Sequence, residues 1–359
     1  MTAPTPIVVA LASAVAFGLA AAAAAPPAAV TDAPAALGPA PRDADGRFTN
    51  LRGGLSHGGL GVRLPFFLRR LGTPFRSGNA APPRIGNDGA FLRENARHSV
   101  PTVTWVGHAT LLVQMGHRSF LTDPIWSDTP SPIPWLGPKR YVDPGIALDD
   151  LPPIDFVLIS HDHYDHLDLP TLRALAERSS ATRFFVPLGN GELLRGEGIE
   201  NVVELDWGGI ARVEGLAIHC LPAQHWSKRG IGDDRKTLWA SWAVVGAERR
   251  FYFSGDSGYF EGFARIGDAL GPFDLAAVAV GAYEPVAMMR DAHLNPEEAV
   301  RAAVDLRSAR ALAVHFGTFD LSDEPLDEPP RRFLEAAAKQ PSLADDGAWV
   351  LDIGETRTF

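Results

Sequence analysis

The chain has 359 residues, 46% of them hydrophobic and 9% aromatic, enough to bury a sizeable core; 33 basic against 43 acidic residues leave a formal net charge of −10. That charge sets the mean surface field against polyanions, so no nucleic-acid partner is expected where a long basic patch is lacking. Cys220 is the single cysteine, which excludes an intramolecular disulfide and a thiolate metal cluster, so any metal has to be held by histidine and carboxylate.

Residues 7–25 carry no charge, are rich in alanine and end in small residues before Pro26 and Pro27, the pattern of a secretory signal peptide. Residues 1–6 contain no Lys or Arg, so a retained membrane anchor fits the same segment, residues 1–25. The location expected is exported, periplasmic or membrane-associated, rather than cytoplasmic. Residues 26–46 form a Pro/Ala-rich linker with too few large apolar side chains to order itself. Residues 47–97 make an N-terminal extension around the run at 62–71, which mixes Phe66, Phe67 and Leu68 with Arg63, Arg69 and Arg70. Two readings fit that run. One is a peripheral membrane contact, the apolar side chains inserting while the arginines meet lipid phosphates. The other is an arm packed on the main domain with its arginines outward.

Residues 98–359 make the main domain. The 35 glycines and 30 prolines favour turns and long loops over a helical bundle. Short apolar runs predict strands at residues 102–106, 111–115, 119–122 and 156–159, with a helix at 170–178. The rhythm repeats with strands at 184–186, 216–221, 239–245 and 250–254, a helix at 260–269 and a strand at 275–280. Asn295 followed by Pro296 predicts a capped helix running to 306. Strands at 312–315 and 349–353, with a helix at 330–339 between them, complete the list. Strands followed by helices in each half predict two packed sheets with helices outside.

The chemistry concentrates in His161-Asp162-His163-Tyr164-Asp165-His166, three imidazoles and two carboxylates in six residues at the end of a strand. A dication needs several lone-pair donors converging within a few ångströms, which explains such density where a plain surface loop does not. His161 and His163, two apart, can share one metal; Asp165 and His166 can face a second, and two-metal sites clamp the entering and leaving oxygens of a displacement. Further ligands are required, and His225, Asp256 and His315 supply them at three other strand ends. Asp256, between Gly255 and Gly258, is the natural bridging carboxylate.

The segment resembles the H-x-H-x-D-H signature of the metallo-β-lactamase superfamily, with the later His, Asp and His in that family's order. Closer similarity is to the N-acylphosphatidylethanolamine-hydrolysing phospholipase D group, through residues 104–110, 121–125, 137–140, 255–259, 271–274, 281–285 and 315–319. The resemblance implies an αββα sandwich of two mixed sheets with helices on the outer faces. It implies two zinc ions per chain, one on His161, His163 and His225 and the other on Asp165, His166 and His315, with Asp256 bridging; iron or manganese suit the same donors. Tyr164 and His293 match positions that contact the substrate head group. Asp165, Asp256 and His293 take the catalytic roles, and His108 matches a position that is not a ligand.

The activity implied is hydrolysis of a lipid or small phosphodiester by a metal-activated hydroxide. The alternatives are a lactone, ester or amide hydrolase of the same superfamily, and a non-catalytic zinc- or lipid-binding module. A homodimer is a further expectation from the resemblance.

Overall fold

The computed structural model describes residues 37–56, 58–70, 81–133, 136–343 and 345–359. The expected leader at residues 1–25, the linker through residue 36 and the Leu71 end of the 62–71 run lie outside the described residues. Among the described residues, no helix is long and apolar enough to cross a membrane.

Two seven-stranded sheets face one another. The first runs β14 (Thr356–Thr358), β1 (Thr102–Gly107), β2 (Thr110–Met115), β3 (Arg118–Thr122), β4 (Phe156–Leu158), β5 (Arg183–Pro187) and β6 (Val202–Leu205). The second runs β13 (Ala348–Trp349), β12 (Ala311–Val314), β11 (Leu275–Ala279), β10 (Arg250–Phe253), β9 (Ser241–Val245), β8 (Leu216–Leu221) and β7 (Ile210–Val213). Each sheet is mixed. β1 to β3 and β7 to β10 pair antiparallel, through short turns except for the long loop between β8 and β9, while β3 to β6 and β10 to β13 pair parallel. Parallel neighbours need crossovers, supplied by α3 (Leu169–Arg178), α4 (Gly191–Gly196), α5 (Gly262–Leu270), α7 (Pro296–Asp305) and α8 (Glu328–Ala337). The αββα sandwich is therefore present as expected.

The side-chain alternation of the first sheet shows why its strands are buried on both faces. Val103, Trp105, Leu111, Val113, Phe120, Phe156, Leu158 and Phe185 point between the sheets. Val106, Leu112, Leu121, Val157, Ile159, Phe184 and Val186 point the other way, against Leu172 and Leu175 of α3 and Leu92 of α2 (Ala90–His98). The helix at α7 begins as its sequence predicts: Asn295 accepts from the Glu298 amide while Glu298 reaches back, a complete capping box.

Several elements depart from the sequence expectations. The strand expected at 349–353 ends at Trp349, and Ile353 instead bridges Arg84. Trp239 and Ala240 precede β9 rather than opening it, because the Trp239 indole is held by Asn50 and by the Ala223 carbonyl. The linker reading fails for residues 37–46. Leu37 and Ala40 join the inter-sheet core with Trp207, and the Ala40 amide donates to Asp206 at 3.1 Å. Phe48 is buried in the same core, so the start of the extension belongs to the main domain.

The run at 62–71 is a helix as far as it is described, α1 (Leu60–Arg70). It lies near the short α6 (Val286–Met289), with Gly58 closing on the Ala287 carbonyl. Phe66 is buried, and Arg70 binds the Asp320 carboxylate at 3.1 Å while Arg69 pairs with Asp323.

Candidate metal centre

The strand ends explain where the chemistry gathers. In a sheet with parallel strands, the carboxyl ends open into loops on one edge, held by the rigid strands behind them. β4 runs into Ser160 to His166, β8 into Pro222 to Trp226, β10 into Ser254 to Gly258, and β12 into His315. At Gly255 the backbone has φ +54 and a Cβ would sit 2.5 Å from the Ser160 side chain, so only glycine lets the Asp256 loop meet the β4 loop.

Two clusters result. His161 Nε2 lies 2.8 Å from His163 Nδ1, and His225 Nε2 lies 3.3 Å from the same atom. These three nitrogens fall within 4.8 Å of one another. Beside them, Asp165 Oδ2 lies 3.3 Å from His166 Nε2 and 3.4 Å from His315 Nε2, and the two imidazole nitrogens are 3.2 Å apart. Asp256 stands between: Oδ2 is 3.2 Å from His166 Nε2 and 3.8 Å from His225 Nε2, and Oδ1 is 3.3 Å from His315 Nε2. The structure thus brings together all seven residues expected to hold metal.

The donor set fits divalent cations. Burial, reinforced by the neighbouring rings, holds His161 and His225 well below the ordinary imidazole range, leaving neutral rings with free lone pairs. Burial works against the carboxylates of Asp165 and Asp256, yet the surrounding imidazoles pull both well below their usual range, so both are anionic. Burial also opposes a charge on His166, but Asp256, Asp165 and Asp123 outweigh it and raise that ring well above its ordinary value. Three carboxylates facing one ring are an excess of negative charge that a dication would neutralise, displacing the proton. Among the described residues, the buried His163 Nε2 and Asp256 Oδ1 have no hydrogen-bond partner.

Neighbouring groups set the ring orientations. Asp123, at the end of β3, accepts from the Ser160 amide and hydroxyl at 2.6 Å and meets His166 Nδ1 at 2.7 Å, turning Nε2 toward Asp165 and His315. His225 Nδ1 donates to the Ala292 carbonyl at 2.9 Å, which directs Nε2 into the cluster. Asn50 clasps the His225 backbone from both sides, accepting from its amide at 3.0 Å and donating to its carbonyl at 2.9 Å. Sequence reasoning missed Asp123 and Asn50 in these roles. Asp123 stood in the quoted 121–125 motif, so that motif carried a signal; Asn50 had none.

The other singled-out residues separate clearly. His108 Nε2 meets Asp165 Oδ2 at 3.0 Å and its ring lies 4.1 Å from that of His315, so it braces the second cluster from behind. Asp162 is occupied by the Lys228 amide and the Thr237 hydroxyl, away from both clusters. His293 Nδ1 lies 3.7 Å from Asp256 Oδ2, and burial lowers its pKa to about 4. The Tyr164 hydroxyl donates to the Arg229 carbonyl at 2.9 Å, and the Arg229 guanidinium covers its ring.

Asp165, Asp256, His163, His293 and His315 open into a cleft of about 340 Å³, whose apolar wall includes Phe67, Met288, Met289 and Leu321. A larger, more polar cleft of about 730 Å³ lies on the far side of Tyr164, lined by Lys139, Arg173 and Arg229 but by none of the seven expected ligands. The chemistry therefore belongs to the smaller cleft.

Histidines and aspartates converging at the strand ends of an αββα sandwich define a metal-dependent hydrolase. The chain belongs to the β-lactamase superfamily, whose domain model matches residues 118–316. It is similar to N-acyl-phosphatidylethanolamine-hydrolyzing phospholipase D 1 of Caenorhabditis elegans, with 41% identity over 263 residues, 70% of this chain and 74% of that one. An uncharacterized protein of Mycobacterium tuberculosis is 44% identical over 263 residues, 72% of this chain and 69% of that one. Among solved structures, a metallo hydrolase from Ignicoccus hospitalis shares the fold with a TM-score of 0.56 at 21% identity, covering 72% of this chain and 98% of that one.

Proposed function

We propose that the chain is a binuclear zinc phosphodiesterase of phospholipase D type, acting on N-acylphosphatidylethanolamine-like lipids. The observation that carries this reading is the position of Asp256, within reach of His225 on one side and of His166 and His315 on the other, at the floor of a cleft with an apolar wall. The relative from Caenorhabditis elegans, named for hydrolysis of N-acylphosphatidylethanolamine, supports the lipid substrate. Zinc suits a donor set of imidazole and carboxylate without thiolate. His161, His163 and His225 would hold one ion and Asp165, His166 and His315 the other.

Bound there, the two ions supply Lewis acidity and a water acidic enough to attack near neutral pH. The residues of the chain do the positioning. Asp165 and Asp256 orient the attacking water, and Asp256 accepts its proton as the oxygen adds to phosphorus. The bond from phosphorus to the N-acylethanolamine oxygen breaks, and that oxygen leaves with a proton drawn from the water of the open cleft. His293, kept neutral by burial, offers a ring N–H to a phosphoryl oxygen as charge builds. Phe67, Met288, Met289 and Leu321 give the acyl chains an apolar wall.

The test is incubation of the purified zinc-loaded protein with N-acylphosphatidylethanolamine, reading phosphatidic acid and N-acylethanolamine. Both products are expected, and the double change His161→Ala, His163→Ala abolishes them. Cleavage of lactones, esters or amides without phosphatidic acid overturns the substrate class. Full activity in the double variant returns the site to a binding module.

A further inference from the structure

The stretch ahead of α1 contributes no metal ligand, yet it is fastened to the loops around His225. Phe48 fixes its entry: the side chain is buried in the inter-sheet core, and its amide donates to the Arg235 carbonyl at 2.9 Å. The Arg235 guanidinium returns a bond to the Phe48 carbonyl at 3.3 Å. Arg52 and Ser56 fix the exit. Arg52 meets Glu261 at 2.6 Å and the Tyr259 carbonyl at 3.3 Å, and the Ser56 amide donates to the Asp291 carboxylate at 3.0 Å.

Asn50 lies between these anchors and is 4% exposed. Its Oδ1 accepts two N–H groups, the His225 amide at 3.0 Å and the Trp239 indole at 3.1 Å, while its Nδ2 donates to the His225 carbonyl at 2.9 Å. Two donors converging on one atom require that atom to be the oxygen, so the side-chain amide has a single orientation. His225 stands past the end of β8, outside any strand, and among the described residues Asn50 is the partner of both its backbone polar groups. Gln224, one residue earlier, is tied elsewhere: its amide donates to the Ser257 hydroxyl and its carbonyl accepts from the Gly258 amide. The His225 ring depends on the same stretch at one remove, since Nδ1 donates to Ala292 and the preceding Asp291 is the residue that Ser56 holds. Among the described residues, no hydrogen bond joins residues 47–56 to Asp165, His166 or His315.

We infer that Asn50 is a positioning residue for one cluster: it fixes His225, so that residues 47–56, ahead of the matched segment 118–316, set the metal affinity of His161, His163 and His225 and leave the second cluster alone. The inference rests on the two clusters as metal sites and is independent of the substrate. Coupling between two equilibria is mutual, so metal on the first cluster holds residues 47–56 in place in return.

Single-cluster parents isolate the effect. His315→Ala leaves the first cluster to bind and His163→Ala the second, and each full-length protein is titrated with zinc against a chromophoric chelator, with and without Asn50→Ala. The added change is expected to weaken zinc about tenfold in the His315→Ala parent and less than about twofold in the His163→Ala parent. Equal weakening in both parents marks a general loosening of the fold and overturns the inference, as does no weakening in either. Asn50→Ser, whose hydroxyl is too short to span the His225 amide and carbonyl, replaces the alanine variant if that one does not fold, with the same expectations.

Hydrogen exchange followed by mass spectrometry gives a readout that needs no metal. In the apo protein Asn50→Ala is expected to speed exchange across residues 222–227 and to leave residues 311–315 unchanged; unchanged exchange at 222–227 overturns the inference. Zinc is expected to slow exchange at residues 47–56 in the His315→Ala parent and not in the His163→Ala parent; an equal effect in both counts against it. If neither parent binds zinc, the two-metal reading falls, and exchange in the apo protein decides the hold of Asn50 on His225 by itself.

Discussion

The carboxylate of Asp123 meets Nδ1 of His166 at 2.7 Å, with both side chains fully buried. This pairing fixes which nitrogen of His166 faces the cluster, and it adds basicity to that nitrogen. Asp123→Asn keeps the shape of the side chain but removes its charge. It is expected to weaken metal binding at the Asp165, His166 and His315 cluster by about 10- to 100-fold, read by competition with a chromophoric chelator. Wild-type affinity in this variant would reduce Asp123 to a support for Ser160.

The division into two clusters makes a stoichiometric prediction. His163→Ala is expected to retain about one metal ion per chain, held by Asp165, His166 and His315, and His315→Ala the complementary one. Asp256→Ala, which touches both clusters, is expected to lose affinity at both. Metal analysis after dialysis reads all three. A single ion in the unsubstituted protein would contradict the binuclear centre.

Tyr164 and His293 entered as a pair from the resemblance, yet their surroundings predict unequal effects. The Tyr164 hydroxyl is engaged by the Arg229 carbonyl, so Tyr164→Phe is expected to change kcat less than threefold, about the net worth of one partly exposed hydrogen bond. His293→Ala removes a neutral ring lying 3.7 Å from Asp256, and a kcat loss of about 100-fold is expected. Steady-state kinetics on the phosphodiester compares them.

Acid stability is expected to depend on α8. Arg332 pairs with Glu328 at 2.9 Å and with Glu297 of α7 at 2.7 Å. The Arg332 guanidinium holds Glu328 below its usual value, and at Glu297 it outweighs the opposing effect of burial. Both are carboxyls with depressed folded-state pKa values, so their contribution is present above the ordinary Glu range and is lost as pH falls through the folded values, beginning below about pH 5. Arg332→Ala should flatten that acid limb in thermal melts and lower stability by about 1 kcal/mol at neutral pH, since the pairs are partly exposed.

The 161–166 cluster was legible in the sequence because its ligands are neighbours in the chain, and His225, Asp256 and His315 were legible because each follows a recognisable buried strand. The role of Asp123 was not, since its partner lies 43 residues away: the 121–125 motif marked the segment but not which side chain the carboxylate would meet. Helix α1 was missed as a helix because Gly61 and Pro65 both argue against one, and only packing of Phe66 and the paired arginines supports it. The edge strands β6 and β7 mix half-buried apolar residues with Glu204 and Arg212, so their alternation is weak where one face meets water. Residues 37–46 read as a linker by composition, but Leu37 and Ala40 gain their burial from Trp207, far along the chain.

The seven expected ligands are drawn from both sheets, the earliest at residue 161 and the latest at residue 315. A chain with one cysteine has no covalent tie of its own. Filled, the centre would act as a reversible cross-link between the sheets, because ions that bind only the folded state shift the folding equilibrium toward it. Metal supply would then govern how long the molecule survives as well as whether it turns over, and a chelator would lower the melting temperature along with the activity while the inter-sheet core keeps the sheets together.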